Sequence, residues 1–231
     1  MNLENLTFKG GVKAPHFKEL SEKLPIEKAM EPKVVYIPLH QHTGAPCEPL
    51  VKVGDTVKVG QKIGQSNAFV SAPVHSSVSG VVKEITSMAI PTGQTVKCVV
   101  IESDGNDELH ESVKPKGKLE DLSPKEIIEI IKEAGITGMG GAGFPTHVKL
   151  SPPADKKIDA VIVNGAECEP YLTADHRVMV EYPEKIVFGL KAIMKALGVE
   201  RGIIGIEKNK PDAILALREV AKNEPNIQIA T

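Results

Sequence analysis

The chain has 231 residues, 41% hydrophobic and 25% charged, with a formal net charge of -2 and a pI near 6.4. That size and composition can bury a sizeable core and suit two domains. Near-neutral charge, 3% aromatics and no tryptophan exclude the basic field and the stacking platforms of a nucleic-acid binder. No stretch approaches the roughly 20 apolar residues of a membrane span, and the first residues lack a secretory leader's apolar run with a basic flank. The expected place is the cytoplasm, with membrane association only through a partner. Cys47, Cys98 and Cys168 lie far apart, so no CxxC pair is available for zinc, a redox disulfide or an iron–sulfur cluster. Three thiols suit a reducing compartment, and Cys98, between Val96 and Val100, reads as a small buried hydrophobe.

Residues 1–33 carry little periodicity, and Pro15, Pro25 and Pro32 interrupt any helix, so an extended lead-in is expected there. Over 34–110 short β-branched runs alternate with glycine and proline, the texture of an all-β module. The segments 51–64 and 72–85 pair alternating strands around tight turns, and the pattern resembles the lipoyl and biotinyl carrier fold, a barrel-sandwich hybrid. A carrier needs a lysine at its hairpin tip. Here the tip reads Gln65, Ser66, Asn67, Ala68, Phe69, so the module is expected to be structural or docking. His40 and His42, two apart, would share a face on a strand and could ligate a metal, but hydrogen-bonding histidines are the better reading because no third ligand lies nearby. His75, in a Pro-Val-His-Ser-Ser turn, is by itself weak grounds for chemistry.

The breaker-rich stretch 111–122 is read as the linker, and 123–231 as an α/β domain. Ser123, Pro124 and Glu126 form an N-cap, a proline at the first helical position and a capping-box partner. The helix they start runs over 127–134 and ends at Gly135. There the chain enters its most informative stretch, which holds Gly135, Gly138, Gly140, Gly141 and Gly143 and then reaches Lys149. Five glycines in nine residues leave backbone amides uncovered and permit positive φ, so an anion can sit against the main chain. The lysine adds a fixed charge, and the whole suits the phosphate of a flavin or dinucleotide. A linker would be richer in serine and charge. Downstream, strands over 158–164, 202–206 and 226–230 alternate with helices over 183–197 and 211–221, which predicts a parallel sheet.

Asn164, Glu167, Cys168 and Glu169 follow the first of these strands, at the carboxyl end where such sheets place ligands. An asparagine amide can both donate to and accept from an isoalloxazine edge, and two carboxylates suit ribose hydroxyls or a nicotinamide amide. Alone, the pair reads better as a solvated acidic turn. Beside the glycine loop, a shared site is the better reading.

The run from Gly138 through Thr146 with Lys149, followed by Val163, Asn164, Glu167, Glu169 and Pro170, resembles the FMN and NADH site of the flavoprotein subunit of respiratory complex I. The β module, Phe8 to Val12 at the start, the segment 72–80 and Tyr171 through Arg177 resemble the RnfC family of Rnf electron transport complexes, over essentially the whole chain. The resemblance implies a two-domain α+β protein, a barrel-sandwich hybrid followed by a parallel-sheet FMN and NAD(H) domain that is incomplete at its C-terminus. It implies a peripheral subunit of a ferredoxin:NAD+ oxidoreductase coupled to Na+ or H+ translocation, held on the cytoplasmic face of the membrane. Its partners would be other Rnf subunits, some membrane-embedded, with ferredoxin indirectly. Gly138, Gly140, Gly141, Gly143 and Lys149 would hold phosphate, Asn164 the flavin, and Glu167 and Glu169 the flavin or nicotinamide side. No side chain need act as acid or base, because the flavin carries the chemistry. The family continues with a β-grasp region and CxxCxxCxxxCP motifs for [4Fe-4S] clusters, which this sequence does not contain. Met139 stands where complex I has arginine and Ala166 where it has aspartate, so phosphate and nicotinamide contacts are expected to differ. A non-catalytic docking role, or service to a different reductase, remains the competing expectation.

Overall fold

The computed structural model describes residues 15–139 and 141–231. The opening motif Phe8 to Val12 and Gly140 lie outside the described residues. By the density of its internal contacts the described chain divides into two units, Ala29–Pro153, and Ala154–Thr231 together with residues 15–28.

In the first unit the β-branched runs become seven strands: β1 (Val34–Pro38), β2 (Glu48–Pro49), β3 (Thr56–Val57), β4 (Lys62–Gln65), β5 (Val74–His75), β6 (Gly80–Ala89) and β7 (Thr95–Ser103). They form two sheets of antiparallel neighbours, ordered β1-β7-β6-β3 and β2-β4-β5. The register sets Ile37 opposite Val99 and Val35 opposite Ile101. A bulge lies between Val82 and Glu84 of β6. Ile37, Val57, Val82, Val99 and Ile101 from one sheet and Ile63 and Val74 from the other share one apolar cluster. That is the barrel-sandwich arrangement. Cys47 and Cys98 are buried, and burial pushes both thiols above their ordinary range.

Helix α1 (Pro124–Glu133) begins as the sequence dictates. Ser123 Oγ accepts from the Glu126 amide, and the Ser123 amide donates to Glu126 Oε2 at 2.8 Å. Such a cap contributes about 1 kcal/mol. By contact, α1 and the glycine loop group with the β module, and these units divide after Pro153. Lys62 pairs with Glu133 at 2.5 Å, and Gly135, at φ 66, lies so close to the module that a Cβ there would be 2.3 Å from Pro73 O. A single turn, α2 (Thr146–Lys149), follows the loop.

The second unit contains β8 (Val161–Asn164), α3 (Ala174–Glu181), α4 (Pro183–Leu197), β9 (Gly202–Gly205), α5 (Pro211–Ala221) and β10 (Ile227–Ala230). The strands pair in parallel in the order β10-β9-β8. Leu190, Ile204, Ala213 and Leu217, each at most 1% exposed, centre its core. Proline opens α4, and Gly198 in the left-handed region closes it. No element was expected at α3, whose first turn holds Asp175, His176 and Arg177 and whose apolar residues form no clear stripe. His176 Nε2 bonds Asp212 Oδ1 at 2.8 Å. The lead-in is not simply extended. Ser21 and Glu22 amides both donate to Lys18 O, making a turn.

Candidate functional site

Two hydrogen bonds pinch the glycine-rich segment into a closed loop, Gly138 N to Phe144 O at 3.0 Å and Thr146 N to Ile136 O at 2.9 Å. Lys149 lies past that neck, and its ammonium comes back over the start of the loop, 3.3 Å from where a Gly138 Cβ would stand. Lys149 is exposed, so its charge is available to an anion. The β module holds the far side. Thr43 donates its amide to Gly143 O at 3.1 Å and its hydroxyl to Ala142 O at 2.5 Å. Gly143, at φ 62, packs against this segment, and its Cβ would lie 3.2 Å from Gln41 O. Gly141 differs, because nothing stands within 4 Å of its Cβ position. A cleft of about 450 Å³ opens here, lined by Gln41, Thr43 and Gln94 of the module and by Gly138, Gly141 and Gly143.

The module's hairpin tip also reaches this unit's loop. His147 of α2 is 3% exposed and its Nε2 lies 3.1 Å from Phe69 O. A carbonyl only accepts, so Nε2 carries the proton and Nδ1 is left without a partner. The Phe69 ring meets the imidazole edge-on at 6.0 Å. The tip where a carrier would present its lysine therefore braces α2.

His40 and His42 stand beyond β1 with their rings edge-to-face at 5.7 Å. His40 Nε2 is 3.1 Å from Gly44 O, and His42 Nε2 is 3.1 Å from Ala45 O and 3.0 Å from Ser71 Oγ. Burial, aided by His40, lowers the His42 pKa. Among the described residues no group of three or more His, Cys, Asp or Glu side chains is arranged to hold a metal ion.

In the other unit, Asn164 ends β8 exposed, and its Oδ1 accepts the Ala166 amide at 3.0 Å. Asn164, Gly165 and Asp175 border a smaller cleft of about 190 Å³. The two glutamates separate sharply. Glu169 is exposed, whereas Glu167 is 5% exposed and engaged throughout: Oε1 accepts the Asp175 amide at 2.7 Å, Oε2 faces Lys18 Nζ at 3.4 Å, and its amide donates to Glu207 Oε2 at 3.0 Å. Glu207 also takes the ammonium of Lys210, which is 2% exposed. Burial pushes the Glu207 carboxyl up, but hydrogen bonds from Lys210 and the Glu167 amide, with the charges of Lys210 and Lys18, outweigh it and hold the pKa below its ordinary value.

The structure thus gathers Gly138, Gly141, Gly143 and Lys149 in one unit and Asn164, Glu167 and Glu169 in the other. Sequence reading missed Thr43, Lys18, Glu207 and Lys210. Thr43, Lys18 and Glu207 act across long stretches of chain and carry no local signal, whereas Lys210 pairs locally with Glu207, three residues before it. The donor set fits an FMN phosphate: the open face at Gly141 admits a ligand against the backbone, and the neighbouring ammonium supplies charge.

These features define a barrel-sandwich module joined to an α/β domain of the flavin-binding kind. Residues 6–106 match the family model described as the RnfC barrel sandwich hybrid domain, and residues 131–231 match the Nuo51 FMN-binding domain. The chain belongs to the RnfC family, the C subunits of Rnf ion-translocating oxidoreductase complexes. It is 51% identical over 229 residues to the C subunit of the Na+-translocating ferredoxin:NAD+ oxidoreductase complex of Acetobacterium woodii, covering 99% of this chain and 52% of that protein. It is 51% identical over 213 residues to the C subunit of the proton-translocating complex of Clostridium ljungdahlii, covering 92% and 47%. With the C subunit of the ion-translocating oxidoreductase complex of Pasteurella multocida the identity is 40% over 224 residues, covering 96% and 27%. The chain spans about half the length of the first two relatives. No helix among the described residues is long and apolar enough to cross a membrane.

Proposed function

We propose that this chain forms the FMN and NAD(H) side of the RnfC protein in a membrane-bound ferredoxin:NAD+ oxidoreductase that couples electron transfer to ion translocation. The glycine loop carries the reading: an uncovered backbone, an ammonium folded back over it and an adjoining cleft, within a segment matching an FMN-binding domain. FMN, when bound, supplies the exchange between two-electron chemistry with NAD(H) and single-electron carriers.

The chain's own residues bind and orient. The amides of Gly140, Gly141 and Gly143 donate to phosphate, Gly138 lies at the loop's neck with its own amide on Phe144 O and leaves its Cβ side to the Lys149 ammonium, and Lys149 neutralises the phosphate. Thr43 and the module's tip hold the loop rigid. Asn164 and Glu169 contribute to the flavin or nicotinamide side, while Glu167 acts by holding its loop. Three scattered cysteines supply no cluster motif, so [4Fe-4S] centres belong to the remainder of the RnfC protein, and the partners are other Rnf subunits, with ferredoxin indirectly. Relatives named for Na+ and for protons match this chain at the same identity, 51%, as suits a region on the electron-transfer side and outside the ion path.

The test is an FMN titration of the full-length protein, followed by flavin fluorescence. Wild type binds, and Lys149→Met weakens binding about tenfold or more, the worth of one charge-assisted hydrogen bond. Wild-type protein that leaves flavin fluorescence unchanged at all concentrations refutes the reading.

A further inference from the structure

The lead-in places one buried cation inside the loop that follows β8. Lys18 is 5% exposed. Its Nζ donates to the carbonyl oxygens of Glu167 at 2.6 Å, Leu172 at 2.7 Å and Glu169 at 3.2 Å, and it faces Glu167 Oε2 at 3.4 Å. An ammonium has three protons to give, and three main-chain acceptors of one short loop converge on them. A buried charge persists only while it is paired and hydrogen-bonded. The curl of the loop and the seat of the ammonium are one arrangement.

A second observation marks the same contact. Phe17 and Tyr171 both hold positive φ, 49 and 67, where side chains are rarely found. Their rings stack at 5.2 Å with planes 12° apart, and the Tyr171 amide donates to His16 O at 3.0 Å. Backbone strain of this kind survives where the surroundings over-determine it. Further along, Thr173 bonds Ser21 at 2.9 Å, and Arg177 donates to Glu22 O at 3.1 Å. The core of the unit, by contrast, is built from Leu190, Ile204, Leu217 and their neighbours, none of them in the lead-in.

We infer that Lys18 is a positioning residue for the candidate site: its ammonium fixes the loop that follows Asn164 and carries Glu169, and so sets the presentation of Glu169 to the flavin or dinucleotide beside the strand end at Asn164. This rests on the function proposed above. A point charge with three divergent donors fits carbonyls that surround it, whereas a planar guanidinium does not. Lys18→Arg therefore keeps the charge and loses the arrangement.

The experiment compares wild type, Lys18→Met and Lys18→Arg in the full-length protein with two readouts. Amide hydrogen exchange without flavin is expected to rise in residues 165–173 of both variants while β8, β9 and β10 keep their protection. FMN titration is expected to show affinity lowered about tenfold or more, and the absorption bands of saturated flavin shift from those of wild type. Should Lys18→Met fail to fold, Lys18→Arg decides by the same criteria. Exchange that rises across the whole unit makes Lys18 a fold-holding residue and overturns the inference. So do variants with wild-type affinity and wild-type spectra. Wild-type protein that binds no FMN refutes the proposed function, and the inference with it.

Discussion

Gly141→Ala and Gly135→Ala separate ligand binding from folding within one loop region. At Gly141 the φ is ordinary and an added methyl meets nothing within 4 Å. Alanine there restricts the unfolded chain, so stability is unchanged or rises by about 0.4–1 kcal/mol. The same methyl covers the backbone that the phosphate would approach, and FMN affinity is expected to fall about tenfold or more, which is about 1.4 kcal/mol. At Gly135 the balance reverses. The residue sits at φ 66, and its new Cβ would lie 2.3 Å from Pro73 O, so the main chain has to open by about 1 Å toward an ordinary contact. The left-handed conformation costs about 1–2 kcal/mol and the overpacking about 1–3, giving a loss of about 2–5 kcal/mol in urea unfolding. The assays are urea melts and FMN titrations on both variants of the full-length protein. A Gly141→Ala protein that binds FMN like wild type would show that the ligand does not lie against this backbone. A Gly135→Ala protein of wild-type stability would show that the loop is not pressed on the module.

Two further outcomes follow from packing and charge. Leu217, 0% exposed at the centre of the α/β core, should cost about 2–5 kcal/mol when changed to alanine, read as a lower urea midpoint with an unchanged slope; a loss under about 1 kcal/mol would contradict the packing described. Glu207 has a folded-state pKa below its ordinary value of 4.5, so the unfolded chain takes up its proton first as pH falls. Its contribution is present above pH 4.5 and is lost as pH drops through the folded value, hence Glu207→Gln should show a flatter decline of stability over the acid range than wild type. Parallel curves for the two proteins would remove Glu207 from that account.

What was legible in the sequence was local chemistry. Ser123 and Glu126 announced α1, proline and Gly198 bracketed α4, and β-branched alternation gave the two-sheet module, because each signal lies within a turn or two of its effect. The parallel sheet followed from strand and helix spacing. What α1 and the glycine loop touch was not legible, since the polar composition of 111–122 reports only exposure to solvent. The glycine loop could be recognised by composition, but its brace at Thr43 is separated from Ala142 by 99 residues. Glu167 and Glu169 look alike in sequence. Only Lys18, 149 residues earlier, and the Asp175 amide distinguish the buried carboxylate from the exposed one.

That separation bears on how the protein is made. The β module is threaded between two parts of the α/β unit, so on the ribosome Lys18 emerges long before the loop that will receive it. At roughly 5–20 residues per second, the 149-residue gap to Glu167 is a wait of about 7–30 s. During it the module can complete both sheets from contiguous chain, while the lead-in remains hydrated and unclaimed. Closure of the Lys18 seat is then a late step, and it joins the earliest described residues of the chain to a loop synthesised after the whole module.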